Sequence, residues 1–442
     1  MSIPRSSLVG VAAPGRAIVS LLAAALLAMS LIVASAGSVA AATTRVVDDD
    51  GMATPTNCNA TAPAHLTIQS AIDASSNGDT IRVCPGNYPE HVQVNKSVRL
   101  LGAQAGNSPY ARSATAPTES GVRGSFTVMV PNVLIDGFGV TNGVPVITYG
   151  INVDTAGSNT LITNNVIEVI GGAGEPQPVV GVYLEHGPDR VGVVRNAIRT
   201  ITSIASAQGV LVGDSTASDP STDVLIARNQ IVNMTSISRG AYGVQVNNGA
   251  RADSTGATGH TTGSIVGNII DNLTGGGWAH GIGLEGPTPS MTVLRNNITR
   301  LTDLTPSTFN NAVGVTVQDN PHRAGIRINE NNFVLKNLID YGIAVDPAST
   351  GTGIVDGTCN WWNSSDGPGP VGPGRGALVT PFVDFEPWLT APAPDGECEG
   401  TADDDDDDAD DDDSDDDDDS DDKDKSKDKS KDKDSDDDRR HS

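Results

Sequence analysis

The stretch Gly181-Val-Tyr-Leu-Glu185 recurs along the chain with its apolar positions kept and its other positions free. The further copies are Gly150-Ile-Asn-Val-Asp154, Gly209-Val-Leu-Val-Gly213, Gly243-Val-Gln-Val-Asn247, Gly281-Ile-Gly-Leu-Glu285, Gly314-Val-Thr-Val-Gln318 and Gly342-Ile-Ala-Val-Asp346, spaced 28 to 38 residues apart. The first and third residues after each Gly are Val, Ile or Leu in every copy. In an extended chain those two positions share a face, so that face is the core and the variable positions look outward. A second phrase lies between the first ones, an Asn followed two residues later by an apolar residue: Asn165, Asn196, Asn229, Asn268, Asn296 and Asn331.

No segment between the phrases carries a helix-length 3.6 pattern, which excludes βαβ units. A turn of this size cannot bury its own apolar face, so each must stack on its neighbours. The expected fold is all-β, a single-stranded parallel β-helix whose coils rise about 4.8 Å. The asparagines then form a structural ladder, because Asn tolerates left-handed turns and stacked amides can bond from coil to coil.

A solenoid needs closed ends. Thr67 to Asn77 reads as an N-terminal capping helix, with Ile68, Ala71 and Ile72 on one face. Asp79 to Val83 and His91 to Val94, running into Val98 to Leu101, read as the two strands that follow, with Pro85-Gly86 as the turn between them. The four cysteines, Cys58, Cys84, Cys359 and Cys398, suit an oxidising compartment. They allow three pairings, and proximity suggests Cys58 with Cys84 and Cys359 with Cys398.

The ends also carry a resemblance. Ile68-Gln-Ser-Ala-Ile-Asp-Ala74, Gly78-Asp-Thr-Ile-Arg-Val83, Pro85-Gly-Asn-Tyr88 and Lys96-Ser-Val-Arg-Leu-Leu-Gly102 resemble the opening of the pectate-lyase-like right-handed β-helix superfamily. Cys359-Asn-Trp-Trp362, Asp366-Gly-Pro-Gly369 and Val383-Asp-Phe-Glu-Pro-Trp388 resemble the closing segment of many such surface proteins. The chain looks most similar to the branch of carbohydrate-binding proteins and sugar hydrolases, which includes periplasmic accessory proteins for copper enzymes. The resemblance implies a right-handed, pectin-lyase-like solenoid and, in its enzymes, substrate along the outer face of one sheet. It does not imply an activity, since the superfamily holds lyases, hydrolases and proteins without known catalysis.

The outward positions of the Gly-led strand are therefore the candidates. Asp154 and Glu185 fall one coil apart, a spacing that suits a retaining carboxylate pair or two oxygen ligands for one Ca²⁺. With Arg190 they form the candidate catalytic set, and Asn152, Tyr183 and His186 are the candidate substrate-binding residues. The competing reading is ordinary solvated turn formers. Polygalacturonase-like hydrolases show a paired Asp-Asp and a Gly-His-Gly. This sequence offers only Glu185-His186-Gly187 and Ala279-His280-Gly281. Arg195, Arg228 and Arg295 precede the ladder asparagines and read as a solvated column. Asp48-Asp49-Asp50-Gly51 departs from the EF-hand spacing. Trp361, Trp362 and Trp388 read as packing of the C-terminal cap, leaving Trp278 as a spare aromatic platform.

Of the 442 residues and net charge of −27, Thr401 to Ser442 holds 24 Asp against 6 Lys and 2 Arg, a net −16. Such a tail has no apolar surface to offset ordering and is expected to be disordered. No stretch of the body could neutralise a run of phosphates, which argues against nucleic acid as a partner. Residues 1–42 read as a secretion signal: Arg5 and Arg16, an apolar run from Ala17 to Val33, then small residues. The expected organisation is this leader, a β-helix over 43–391 with caps near 46–102 and 357–389, and a linker and tail over 392–442. The expected product is a secreted monomer without a membrane span after cleavage of the leader. It needs no cofactor, with Ca²⁺ the one candidate ion, and it binds polysaccharide or another cell-surface polymer. The alternatives are a polysaccharide lyase or glycoside hydrolase on the outer face, and a periplasmic-type accessory protein.

Overall fold

The computed structural model describes residues 42–143, 146–213, 220–248, 260–305, 312–337, 339–347 and 351–398. The apolar leader and the Asp-rich tail lie outside the described residues. The body is a right-handed parallel β-helix. One coil runs Leu161–Thr163, Val166–Gly171 and Val179–Leu184, and the next begins at Gly192–Val194. Stacking these gives three sheets, here I, II and III in coil order, with 12, 9 and 11 strands among the described residues. Every neighbouring pair joined in these sheets is parallel, as in the pairing of Val179–Leu184 with Ala207–Val212.

Register explains why the apolar positions recur. Ile151, Val182, Val210, Val244, Ile282, Val315 and Ile343 lie directly over one another in sheet III, and all are buried. Sheet II contributes Ile167, Ile198, Ile231, Ile270, Ile298 and Phe333, and sheet I contributes Ile162, Val193, Ile226, Ile265, Val293 and Ile328. The three stacks form one continuous core, whose burial is the main favourable term in folding. The Gly column follows from the same geometry. A Cβ on Gly181 would lie 2.5 Å from Ile198 Cγ2 and 2.7 Å from the Gly209 carbonyl oxygen. Sheet III can approach the sheet II isoleucines this closely only without a side chain there.

The ladder asparagines sit in the turn between sheets I and II, with their side chains inside. Each Nδ2 donates to Oδ1 of the next, from Asn165 through Asn196, Asn229, Asn268, Asn296 and Asn331, at 2.9–3.1 Å. The ladder has a further member, Asn360, which accepts from Asn331 at 3.0 Å. The left-handed conformation is not theirs. It belongs to the residue before each one: Asn164, Arg195, Arg228, Gly267, Arg295, Glu330 and Cys359, with φ between 53° and 65°. The Arg195, Arg228 and Arg295 column is thus a turn position, and Arg295 pairs with Glu330 on the next coil.

The N-terminal cap is the helix Ile68–Asp73, shorter than the sequence pattern. Thr67 Oγ1 accepts from the Ser70 N–H at 3.1 Å, and the Glu90 carboxylate accepts from the N–H groups of Ile68 and Gln69 at 2.8 and 3.0 Å. Ile68, Ala71 and Ile72 close the core at this end. The region after it departs from the two-strand reading. Thr80–Val83, Gly86–Tyr88 and His91–Val94 are one full coil, and Arg99–Leu101 begins the next in sheet I. Pro85-Gly86 reads as a turn by composition, yet Gly86–Tyr88 is a strand that pairs with Ser120–Arg123 in sheet II.

At the other end Trp362 is fully buried against Phe333, ring centroids 5.4 Å apart. The disulfides join Cys58 to Cys84 and Cys359 to Cys398, one at each end. The body reaches Cys398 instead of stopping at 391. Leu389 bridges to Cys398, and the Asn332 side chain holds both backbone groups of Ala393. Residues 102–119 form a loop across the turns beside sheet II. Arg112 donates to the Asn164 carbonyl at 2.7 Å, and the Ala114 N–H donates to Glu168 Oε1 at 2.8 Å. No helix among the described residues is long and apolar enough to cross a membrane.

Candidate functional site

The outer face of sheet III presents three columns: the residue before each Gly, and the second and fourth residues after it. On the coils led by Gly150 and Gly181, Asn152 and Tyr183 are register neighbours. Asn152 is nearly buried, and its Nδ2 donates to Glu185 Oε2 at 2.7 Å. Its Oδ1 is buried without a hydrogen-bond partner. His186, in the left-handed conformation with φ 57°, brings Nδ1 to 3.8 Å from Glu185 Oε1 and 3.9 Å from Asp154 Oδ1. Three of the expected residues therefore meet around one imidazole.

The other members sit differently. Asp154 caps the short 3₁₀ turn Thr155–Gly157, its Oδ1 accepting from the Thr155 N–H at 2.7 Å. That is the local bond an acidic turn former makes. Arg190 is turned to the sheet III–sheet I corner, where Nε donates to Asn159 Oδ1 at 2.7 Å. It pairs with neither carboxylate among the described residues. The side chains of Asp154 and His186 are 45% and 43% exposed, so solvent screens their attraction.

A denser group lies on the coils led by Gly243 and Gly281. Tyr242 and His280 are register neighbours in the column before the Gly, both buried, with rings edge-to-face at 5.3 Å. Trp278 Nε1 donates to the Tyr242 hydroxyl at 2.7 Å, and that hydroxyl donates to Glu285 Oε1 at 3.1 Å. Gln245 Nε2 donates to the same oxygen at 2.9 Å, and Gln208 Nε2 in turn donates to Gln245 Oε1. Burial lifts the Glu285 carboxyl above its ordinary range, opposed by the Gln245 and Tyr242 hydrogen bonds and assisted by Asp319. Burial also raises the Tyr242 phenol and pushes the His280 imidazole down to about 3, so that histidine is neutral.

This group escapes a reading of the fourth column alone. Glu285 stands in that column, but its partners come from the position before the Gly. The signal was the polar or aromatic residue that precedes several copies: Tyr149, Gln208, Tyr242, His280 and Tyr341.

A cleft of about 310 Å³ lies elsewhere, rimmed by Asp49, Asn87, Glu119 and Arg123. Its Glu119 is already held by both Nε and Nη2 of Arg112, at 2.8 and 2.7 Å. Asp48 approaches Cys58 and Cys84 as metal ligands would, but both sulfurs are in the disulfide.

No family model matches the sequence, and no curated protein matches it. Among solved structures, the chain is similar to one described as the crystal structure of pectate lyase Pel9A, at 12% identity over 79% of this chain and 80% of that one, with a TM-score of 0.42.

Proposed function

We propose that this protein is an extracellular solenoid that binds a polysaccharide, or a similar surface polymer, along the outer face of sheet III. The observation that carries this reading is the coil-to-coil linkage of polar side chains on that face. Asn152 bonds to Glu185, and Gln208 bonds to Gln245, which bonds to Glu285. Groups fixed by each other lose little freedom when a ligand arrives, which favours binding. They repeat at the coil rise of about 4.8 Å, close to the length of one pyranose residue. The extracellular setting is supported by two disulfides with no free cysteine, and by the leader pattern of residues 1–42.

A second reading is an enzyme working at Asp154, Glu185 and His186. It is favoured by the imidazole standing within 4 Å of both carboxylates. The two readings separate in one experiment. Affinity electrophoresis through gels cast with neutral or acidic polysaccharides is run beside assays for reducing sugar and for unsaturated products, with and without Ca²⁺. Retardation without product release is the expected result. Free migration in every gel would remove the binding reading, and product release would establish the enzyme.

A further inference from the structure

Trp278 and Glu285 lie on the same outer face, joined through the Tyr242 hydroxyl. Three features of this group point to a ligand. First, the indole sits directly over Gly240. A Cβ there would fall 1.9 Å from Trp278 Nε1 and 2.5 Å from Cε2. The ring is only partly buried, so part of it reaches solvent on this face. Second, Gly283 puts no side chain between Tyr242 and Glu285. A Cβ there would sit 3.0 Å from Tyr242 Cε1 and 3.5 Å from Glu285 Oε1. Third, Glu285 Oε1 accepts two hydrogen bonds while Oε2 accepts none among the described residues, and Oε2 is not a buried orphan.

We propose that Trp278, Tyr242, Gln245 and Glu285 form a subsite for a neutral pyranose ring, with the indole as its stacking face and Glu285 Oε2 as the acceptor for its hydroxyls. This rests on the polymer-binding reading and narrows it. A flat aromatic face beside a fixed acceptor matches a sugar, which offers C–H groups on its faces and O–H groups at its edge. The charge excludes a uronate. The group holds Glu285, with Asp319 adding further negative charge, and no cation pairs with Glu285 among the described residues. A sugar carboxylate placed there would meet like charge in a partly desolvated site, which is unfavourable.

The test is calorimetric titration of the full-length protein with neutral hexasaccharides (cello-, manno- and xylo-) and with hexagalacturonate. At least one neutral ligand is expected to bind at least 10-fold more tightly than the uronate. Trp278→Ala is expected to weaken that ligand at least 10-fold. Because Trp278 also covers Gly240, the isosteric Glu285→Gln is the second variant, and it is expected to reduce the discrimination against hexagalacturonate at least 5-fold. Circular dichroism checks the fold of both. A wild type that prefers the uronate overturns the subsite, as do variants that titrate like wild type while gel retardation persists. In that last case polymer binding survives and this site does not. Absence of both binding and retardation overturns both.

Discussion

Asn229 gives Asn268 two hydrogen bonds at once: its N–H and its Nδ2 both donate to Asn268 Oδ1, at 2.9 and 3.0 Å. Asn229 receives the same pair from Asn196, at 2.9 and 3.1 Å, and spends its remaining donor on the Val193 carbonyl at 2.8 Å. Every donor and acceptor of the amide is thus used in a buried place. Asn229→Leu keeps the volume but strands two buried donors on Asn196. At about 1–3 kcal/mol for each stranded group, the expected loss is at least about 2 kcal/mol. Urea denaturation followed by circular dichroism reads it, and a loss below about 1 kcal/mol would show that the ladder is ornamental to stability.

The left-handed positions make a contrary case. Val169 has φ 58°, which a β-branched residue rarely adopts. It lies in a column with Thr200, Asn233, Asn272 and Arg300, all between 49° and 62°. Its side chain is 51% exposed, so little packing is at stake. Left-handed backbone costs an L-residue about 1–2 kcal/mol, and Asn least among those with a side chain. Val169→Asn, the residue that later coils carry, is expected to raise stability by about 1 kcal/mol. A lower melting temperature for this variant would mean that Val169 packs better than its exposure implies.

These two columns also mark how far the sequence could be read. The Gly-led phrases revealed strand, face and stacking, because a core position repeated in every coil admits only Val, Ile or Leu. The Asn column was visible for the same reason. Which of two adjacent residues turns left-handed was not, since Asn is suited both to that conformation and to a buried amide ladder. Only burial of the second residue decides it. Gly86–Tyr88 was missed as a strand because three residues are too few to show alternation. Asp154, Glu185 and His186 were legible as neighbours because sequence register becomes spatial register in a solenoid. Arg190 was not placed correctly by its nearness in sequence, since the chain turns a corner there and its guanidinium finds Asn159. The Glu285 group combines two columns, and period-2 reasoning treats each column alone.

His280 gives the protein an expected acid sensitivity. Its imidazole is held neutral by burial, at about 3 against an ordinary 6.5, and its Nδ1 is buried without a partner. The unfolded chain therefore takes up a proton that the folded chain refuses once pH falls below 6.5. Stability is then lost by about 1.4 kcal/mol per pH unit until the folded imidazole titrates near 3. His280→Val places there the residue that the next coil carries at Val313. Comparing denaturation midpoints at pH 7 and pH 4.5, the variant is expected to lose distinctly less stability than the wild type. Parallel losses in the two proteins would assign the acid sensitivity to other groups.

Glu185 separates binding from catalysis at the other end of the face. Asn152 holds its Oε2, and His186 stands near its Oε1, so the carboxylate is oriented but not enclosed. Its side chain is 28% exposed, and water reaches it. An oriented, wet carboxylate is suited to accept sugar hydroxyls. The arrangement supplies less of what a general acid needs, which is a site closed to water. Glu185→Gln retains the acceptor oxygen and the shape while removing the charge. Retardation in neutral polysaccharide gels is therefore expected to fall by no more than about 3-fold. Glu185→Ala, which frees Asn152 as well, is expected to lose about 10-fold, as one charge-assisted hydrogen bond of about 1.5 kcal/mol would give. Should the wild type instead release product, and Glu185→Gln abolish that release without weakening retardation, the carboxylate works on a bond and not on a hydroxyl, and the enzyme reading takes over.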